Sequence, residues 1–152
     1  MKVWIVRHAE KEQNPTNPQD PVLSPDGALR AEALMQSLKG KKLDTIYTTA
    51  YKRTKLTAFP LADKQGISLQ EYDPTKPSHL VNMLKQKATG KSVLIVGHSN
   101  TIIPLIEAFG AKSPLDSIGD NEYDNLFYLQ VKGDKVSVEL SKYRDKPRPG
   151  EL

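Results

Sequence analysis

The sequence contains no cysteine. This excludes disulfides, zinc–thiolate sites and thiol nucleophiles, but it does not distinguish the cytosol from the periplasm. Long hydrophobic runs are missing too, because none approaches the roughly 18 residues of a membrane helix, and no membrane partner is predicted. Met1 is followed at once by a strand-like run, so no signal peptide is predicted. We therefore expect a cytoplasmic protein; a periplasmic one would look the same after removal of a signal peptide.

A sustained block of basic residues is also absent. The 152 residues include 22 Lys and Arg and 18 Asp and Glu, giving a net charge of +4. This mild excess fits an anionic partner, namely a phosphorylated small molecule or a phosphoprotein. The scattered basic residues make nucleic acid the weaker interpretation, and none is predicted. Acidic clusters with metal-ligand spacing are missing, so neither a metal nor another cofactor is expected. The sequence leaves the oligomeric state open.

Length and composition predict one folded domain. A domain typically holds roughly 150 residues, and 38% hydrophobic with 26% charged residues is a globular composition. We expect residues 1–143 to form this domain and residues 144–152 to form a charged tail that contains proline.

Short apolar runs alternate with helical patterns along the chain. Strands are predicted at 2–6, 44–49, 67–71, 93–96, 126–131 and 136–140. Helices are predicted to begin near Ser24, Tyr51, Pro77 and Thr101. Pro60 is expected to kink or split the second helix. This order predicts a three-layer αβα fold, with a mainly parallel sheet, helices on both faces and a C-terminal antiparallel hairpin.

Two of the predicted strands end in histidine. The run 2–6 is followed by Arg7 and His8, and the run 93–96 leads to His98. Ligands of open α/β sheets bind beyond the carboxyl ends of the strands. Two neighbouring parallel strands would therefore bring both imidazoles to one site.

Further polar residues are expected at the same edge. Arg53 lies early in the helix after the second strand, while Ser99 and Asn100 open the helix after His98, with Asn100 as the predicted cap. Free amides at a helix start attract anions, and Arg matches phosphate oxygens. Neutral imidazole is a nucleophile at neutral pH. The set therefore suits a phosphoryl group.

Taken singly, each of these residues is more often structural than functional. A histidine at a strand end is usually a satisfied structural residue, and an arginine near a helix start is usually a solvated charge. Four such residues converging on one edge favour the functional interpretation. His79 has no such context and is predicted to be a surface residue.

Four segments resemble the histidine phosphatase superfamily, the phosphoglycerate-mutase-like fold. They are Arg7-His8-Ala9-Glu10, Leu23-Ser24-Pro25-Asp26-Gly27, the run from Thr49 to Ala58, and Gly97-His98-Ser99-Asn100. Ala9 stands where the family signature has glycine. The resemblance implies that His8 is the phosphorylated nucleophile and that Arg7, Arg53 and His98 hold the phosphoryl oxygens. Asn14 falls where many members have an asparagine that contacts phosphate, and the prolines of this loop leave that alignment open. Lys11 stands where the family often has serine, and it either adds a charge contact to the substrate or faces solvent.

The general acid is left open by the resemblance. Leu69-Gln70-Glu71 fits the family's Leu-x-Glu segment, which makes Glu71 the first candidate. Asp73 is the second, and it would share the side-chain parity of Glu71 if the strand continued. If neither residue acts, Glu122 or Asp124 remains.

The implied function is a cofactor-independent phosphohydrolase, either a phosphomonoesterase or a phosphoprotein phosphatase, acting through a phosphohistidine at His8. The short chain is most similar in size and layout to the short bacterial phosphohistidine phosphatases. Two alternatives stay open: a phosphomutase, and a catalytically inactive protein that binds a phosphorylated ligand.

Overall fold

The computed structural model describes residues 1–143; the tail predicted at 144–152 lies outside the described residues. The strands are β1 (Lys2–Arg7), β2 (Thr45–Thr48), β3 (Leu69–Glu71), β4 (Ser92–Gly97), β5 (Asn125–Lys132) and β6 (Lys135–Lys142). The helices are α1 (Pro25–Leu38), α2 (Lys52–Gln65), α3 (Pro77–Lys87) and α4 (Ile102–Ala108). Within this part of the chain, no helix is both long and apolar enough to cross a membrane.

The strands form one mixed sheet in the order β3-β2-β4-β1-β5-β6. The first four strands in this order are parallel to one another. β5 runs antiparallel to β1, and β6 pairs antiparallel with β5 as the outer edge. The predicted parallel sheet with a C-terminal antiparallel hairpin is therefore confirmed.

Side chains of the central strands point alternately to the two faces of the sheet, so each face has its own part of the hydrophobic core. On β1, Val3 and Ile5 pack with residues of α3 and α4. Trp4 and Val6 pack with residues of α1 and α2 on the opposite face. Successive side chains of a strand point to opposite faces, so a strand buried on both faces must be apolar throughout. The predicted three-layer arrangement is confirmed.

The start of α1 follows a local sequence signal, whereas α2 and α4 depart from what their sequences predict. Ser24 caps α1, accepting from the amide of Gly27 at 3.0 Å. α2 runs from Lys52 to Gln65 without a break at Pro60, so of the expected kink or split the split is wrong. The prediction that Asn100 caps the last helix is also wrong, because α4 begins at Ile102 with Thr101 as its cap.

Candidate active site

The carboxyl ends of β1 and β4 bring two histidines together. The strands are neighbours, with Arg7 opposite Gly97, and the amide of His8 donates to the Gly97 carbonyl at 2.9 Å. The ring centroids of His8 and His98 lie 5.3 Å apart, edge to face. The two residues are only 4% and 8% exposed, so both rings are almost excluded from water.

The backbone determines which nitrogen of His8 carries the proton. Nδ1 lies 2.8 Å from the carbonyl oxygen of Ala9. Because a carbonyl oxygen only accepts, Nδ1 donates, and the lone pair of the neutral ring is on Nε2. Burial, together with the charges of Arg7 and Arg53, lowers the pKa of His8 to about 3. The ring is therefore neutral at neutral pH with Nε2 unprotonated.

Helix α2 holds the turn that follows His8. The amide of Ala9 donates to Oγ1 of Thr57 at 2.8 Å, and the Thr57 hydroxyl donates to the carbonyl of Arg53 at 2.7 Å. Ala9 and Thr57 are fully buried. One hydroxyl thus links the backbone beside His8 to the helical turn that carries Arg53.

A threonine at the end of β2 holds the second histidine. Nε2 of His98 lies 3.0 Å from Oγ1 of Thr49, and the amide of His98 donates to Oγ1 of Thr101 at 3.0 Å. The ring of Tyr51 stands edge-on to the imidazole, with 5.2 Å between centroids. Burial first, and then the charges of Arg53 and other cations, lowers the pKa of His98 to about 4. This ring is also neutral at neutral pH.

The loop between α4 and β5 clamps Arg7. Nη1 of Arg7 donates to the carbonyl oxygens of Gly119, Asp120 and Glu122 at 3.2, 2.9 and 3.0 Å. Its Cζ lies 4.0 Å from the ring centroid of Tyr123. Burial lowers the pKa of this guanidinium, and the charges of neighbouring side chains oppose that effect. Within residues 1–143, the buried Nε of Arg7 has no hydrogen-bond partner.

Arg53 presents a second donor of the same kind. It lies in the first turn of α2, and its Cζ is 4.4 Å from the ring centroid of Tyr51. In the described part of the chain its buried Nε also lacks a hydrogen-bond partner. A buried donor left unpaired costs roughly 1–3 kcal/mol. Two such guanidinium donors beside two buried imidazoles therefore form a strongly anion-seeking site.

Lys11 and Asn14 line a broad open cavity beside the histidines. This cavity has a volume of about 1310 Å³ and is bounded by the loop after β1, the start of α1, and the residues Asn121 and Tyr123. Tyr123 also faces His8, with ring centroids 6.3 Å apart. Tyr123 is thus shared between the cavity wall and the contact with His8, and neither histidine is among the residues that line the cavity. The roles of Lys11 and Asn14 in binding substrate stay predictions.

Ser99 and Asn100 lie in the turn between β4 and α4, ahead of the helix rather than inside its first turn. Ser99 is half-buried and Asn100 is exposed. The later start of α4 weakens the argument that its free amides surround the site. Substrate binding by these two residues stays a prediction.

The two favoured acid candidates line a second groove, together with Thr49 and Tyr51. Glu71 forms an ion pair of 2.8 Å with Lys55 and is half-exposed. β3 ends at Glu71, as predicted, so the shared side-chain parity that a longer strand would give Asp73 does not apply. Asp73 instead accepts from the amide and hydroxyl of Thr75 at 2.9 and 2.6 Å. These hydrogen bonds lower the pKa of Asp73, which opposes proton donation at neutral pH.

The reserve candidates are engaged as carboxylates as well. Glu122 accepts from the amide of Gly119 at 3.1 Å and from Nδ2 of Asn125 at 3.3 Å, and these bonds lower its pKa. Asp124 pairs with Lys142 at 3.3 Å. The structure therefore singles out none of the four carboxyls as a general acid.

Reasoning from the sequence does not identify Tyr123 as a site residue. It contacts the site from the far end of the chain through an irregular loop, and no periodicity or strand end marks it. The threonines Thr49 and Thr57 lie inside the segment that resembles the family, but their hydrogen bonds appear only in three dimensions. Among residues 1–143, no group of three His, Asp or Glu side chains is arranged to hold a metal ion.

Comparison with known proteins identifies relatives of the N-terminal half. The sequence model of the Histidine phosphatase superfamily (branch 1) matches residues 3–74. Phosphoserine phosphatase 1 of Hydrogenobacter thermophilus is 38% identical over 77 residues, which is 48% of this chain. The match spans only 36% of that relative's length.

Solved structures extend the likeness to the whole sheet. Bacillus stearothermophilus YhfR matches with a TM-score of 0.72 and 19% identity, covering 90% of this chain and 94% of that one. The protein histidine phosphatase SixA, complexed with tungstate, matches with a TM-score of 0.73 and 16% identity, covering 93% and 97%. A phosphoserine phosphatase variant from Entamoeba histolytica, in complex with phosphoserine, matches with a TM-score of 0.69 and 17% identity, covering 93% and 95%.

At these identities the solved structures establish the fold, and the sequence match supplies the family pattern. The resemblance predicted from the sequence is therefore confirmed: the chain has the fold of the histidine phosphatase superfamily and carries that family's sequence pattern over residues 3–74.

Proposed function

We propose that the protein is a phosphohydrolase that acts through a phosphohistidine intermediate on His8. The observation that carries this proposal is the hydrogen bond from Nδ1 of His8 to the carbonyl of Ala9. It orients a neutral, buried imidazole with its lone pair on Nε2, which is the form that attacks an electrophile. The two unpaired guanidinium donors beside this ring distinguish it from a buried histidine that is only hydrogen-bonded into the structure.

Two guanidinium groups supply the charge that a phosphoryl group requires, and a neutral imidazole lies beside them. Nε of Arg7 and Nε of Arg53 are buried donors with no partner in the described residues. His98 lies 5.3 Å from His8 between ring centroids, within reach of a group bound to His8. Donors held in place before the reaction stabilise the negative charge that builds up on the transferring oxygens.

The reaction proceeds in two displacements. In the first, Nε2 of His8 attacks phosphorus, the bond from phosphorus to the leaving oxygen breaks, and that oxygen takes a proton. In the second, water attacks the phosphorus of the phosphohistidine, the P–N bond breaks, and inorganic phosphate leaves with the His8 lone pair restored. The two steps together consume one water molecule and require no redox partner.

The leaving group is accommodated by the open side of the site. The cavity of about 1310 Å³ beside the histidines exceeds the roughly 300–1,000 Å³ of typical small-molecule pockets. This supports a bulky leaving group, including a phosphorylated side chain on a protein. Hydrogen bonds lower the pKa values of Asp73 and Glu122, which favours leaving groups that depart without strong protonation.

A panel of phosphorylated compounds tests the proposal. It should include phosphoserine, a sugar phosphate, nitrophenyl phosphate and a phosphohistidine-containing protein, with phosphate release measured for the unchanged chain and for His8→Ala. The proposal expects release from at least one compound by the unchanged chain and none by the variant.

The panel also separates the two alternatives. An isomerised phosphate ester without phosphate release would indicate a phosphomutase. Binding of a phosphorylated compound without any turnover, unchanged in His8→Ala, would indicate a protein that only binds its ligand. Either outcome would overturn the proposed function.

A further inference from the structure

Two buried threonines form a chain of hydrogen bonds that ends at His98. Oγ1 of Thr49 lies 3.0 Å from Nε2 of His98 and 3.0 Å from Oγ1 of Thr54. Both threonines have no exposed surface. These two hydrogen bonds therefore connect α2 to the imidazole of His98 through side chains that are shielded from water.

The positions of the two threonine hydroxyl protons follow from counting the donors and acceptors around each oxygen. Oγ1 of Thr54 donates its single proton to a backbone carbonyl, that of Tyr51 at 2.8 Å or that of Thr49 at 3.2 Å. Its oxygen already accepts from the amide of Thr49 at 3.2 Å. With its own proton used, Thr54 can only accept from the Thr49 hydroxyl.

The direction of the next bond follows. The Thr49 hydroxyl donates its proton to Thr54. Its oxygen can therefore only accept a hydrogen bond from His98. Nε2 of His98 must then be the donor. In the reverse arrangement, Thr54 would either give up its bonds to both carbonyls or leave two buried hydroxyl oxygens 3.0 Å apart with no proton between them, and an unmade bond is costly in a fully buried position.

We infer that Thr54 is a positioning residue: through Thr49 it fixes His98 in the tautomer that carries its proton on Nε2. His98 thus enters the reaction as a neutral ring whose Nε2–H is held by Thr49. Nδ1 is left to take a second proton when a phosphoryl dianion favours the charged ring. The tautomer is a property of the resting protein, while its value for catalysis rests on the proposed function.

Replacement of Thr54 by valine removes the acceptor at nearly constant shape. In Thr54→Val, the Thr49 hydroxyl loses its partner and turns its proton toward Nε2 of His98, which favours the tautomer protonated on Nδ1. Thr54→Ser keeps the hydroxyl and should keep the original tautomer. Thr57→Val is the matched control, because Thr57 is equally buried on the same helix but bonds to the amide of Ala9 instead of His98's partner.

Long-range ¹H–¹⁵N spectra of the resting protein at neutral pH report the tautomer directly. The chain has three histidines, and the His98 signals are those lost in His98→Gln. We expect an Nε2–H signal in the unchanged chain, in Thr54→Ser and in Thr57→Val, and an Nδ1–H or mixed signal in Thr54→Val. An Nδ1–H signal in the unchanged chain would overturn the inference, as would a tautomer unaffected by Thr54→Val.

A kinetic measurement then tests whether the tautomer of His98 that Thr54 favours contributes to the reaction rate. Thr54→Val should lower kcat/KM for phosphate release by up to about tenfold, the effect of one neutral hydrogen bond, and Thr54→Ser should restore it. Rates unchanged in Thr54→Val despite a changed tautomer would refute the positioning role. Absence of phosphate release from the unchanged chain would instead count against the proposed function, and the tautomer result would stand by itself.

Discussion

The guanidinium of Arg7 lies over the ring of Tyr123, with Cζ 4.0 Å from the ring centroid. The two residues come from opposite ends of the domain, one on the first strand and the other in the loop before β5. The same loop supplies three carbonyl acceptors to Nη1 of Arg7. The position of one phosphate-binding candidate therefore depends on an irregular segment that shows no regular sequence pattern.

Loss of the Tyr123 ring should weaken the proposed reaction. A cation–π contact is worth about 0.5–2 kcal/mol, so Tyr123→Leu should lower kcat/KM by about 2- to 30-fold. Tyr123→Phe retains the ring and should retain most of the rate. Steady-state kinetics on the best compound of the panel would check this, and equal losses in the two variants would assign the effect to the hydroxyl instead of the ring.

The close approach of α1 to the loop after β1 gives a test of stability. A Cβ added to Gly27 would lie 2.0 Å from the carbonyl oxygen of Glu10, whereas one added to Gly40 would meet nothing within 4 Å. Gly27→Ala should therefore lower the free energy of unfolding by about 1–3 kcal/mol, although Ala ordinarily favours a helix. Urea denaturation measures both variants. A Gly27→Ala protein as stable as Gly40→Ala would contradict the packing described for this loop.

The buried histidines make stability depend on pH. Their pKa values are lowered from 6.5 to about 3 for His8 and about 4 for His98. Below pH 6.5 the unfolded chain therefore binds more protons than the folded one, and stability falls as the pH is lowered toward 4. Each histidine contributes a slope of up to about 1.4 kcal/mol per pH unit.

Urea denaturation across this range of pH, in the unchanged chain and in the double variant His8→Gln with His98→Gln, measures the effect. The double variant should show a flatter dependence between pH 6.5 and about 4. Asp73 and Glu122 have lowered pKa values, so their contribution is lost only at the acid end of the range. Equal slopes in the two proteins would mean that the histidines are not held neutral by burial.

Much of the architecture follows from the sequence because the signals there are local. The apolar run before Arg7 predicts a strand buried on both faces, and Ser24 before Pro25 predicts the start of α1. The meeting of His8 and His98 follows from parallel strands and a shared carboxyl edge. These inferences require only periodicity, capping and the direction of the strands.

The errors arise where side chains compete for backbone groups. Asn100 looks like a helix cap, but the Thr101 hydroxyl accepts from the His98 amide. The cap is therefore Thr101, one residue later than expected. β3 ends at Glu71, as the predicted strand does, and the Asp73 carboxylate accepts from the Thr75 amide outside it, a bond that the sequence pattern does not show. Such choices depend on small energy differences that composition and spacing do not reveal.

The general acid can be located by varying the leaving group. Removal of an acid should slow alkyl phosphates far more than nitrophenyl phosphate, because only the poor leaving group needs a proton. A selective loss of about 10²- to 10⁴-fold is expected from Glu71→Gln or from Asp73→Asn. Of these two residues Asp73 is the weaker candidate, because the hydrogen bonds from Thr75 lower its pKa.

Measurement of kcat/KM for both compounds in both variants decides between the two residues. Glu107→Gln on the exposed surface of α4 is the control and should change neither rate. If neither variant shows a selective loss, Glu71 and Asp73 are both excluded as the general acid. The same measurement is then made on variants of Glu122 and Asp124.

The central claim is that His8 carries the phosphoryl group, and trapping of the phosphoenzyme tests it most directly. The protein is mixed with a substrate, quenched in base because phosphohistidine is acid-labile, and mapped by mass spectrometry. We predict a phosphoryl group on Nε2 of His8 in the unchanged chain and no phosphoryl group in His8→Ala. A phosphoryl group on another side chain, or turnover that persists in His8→Ala, would contradict the account.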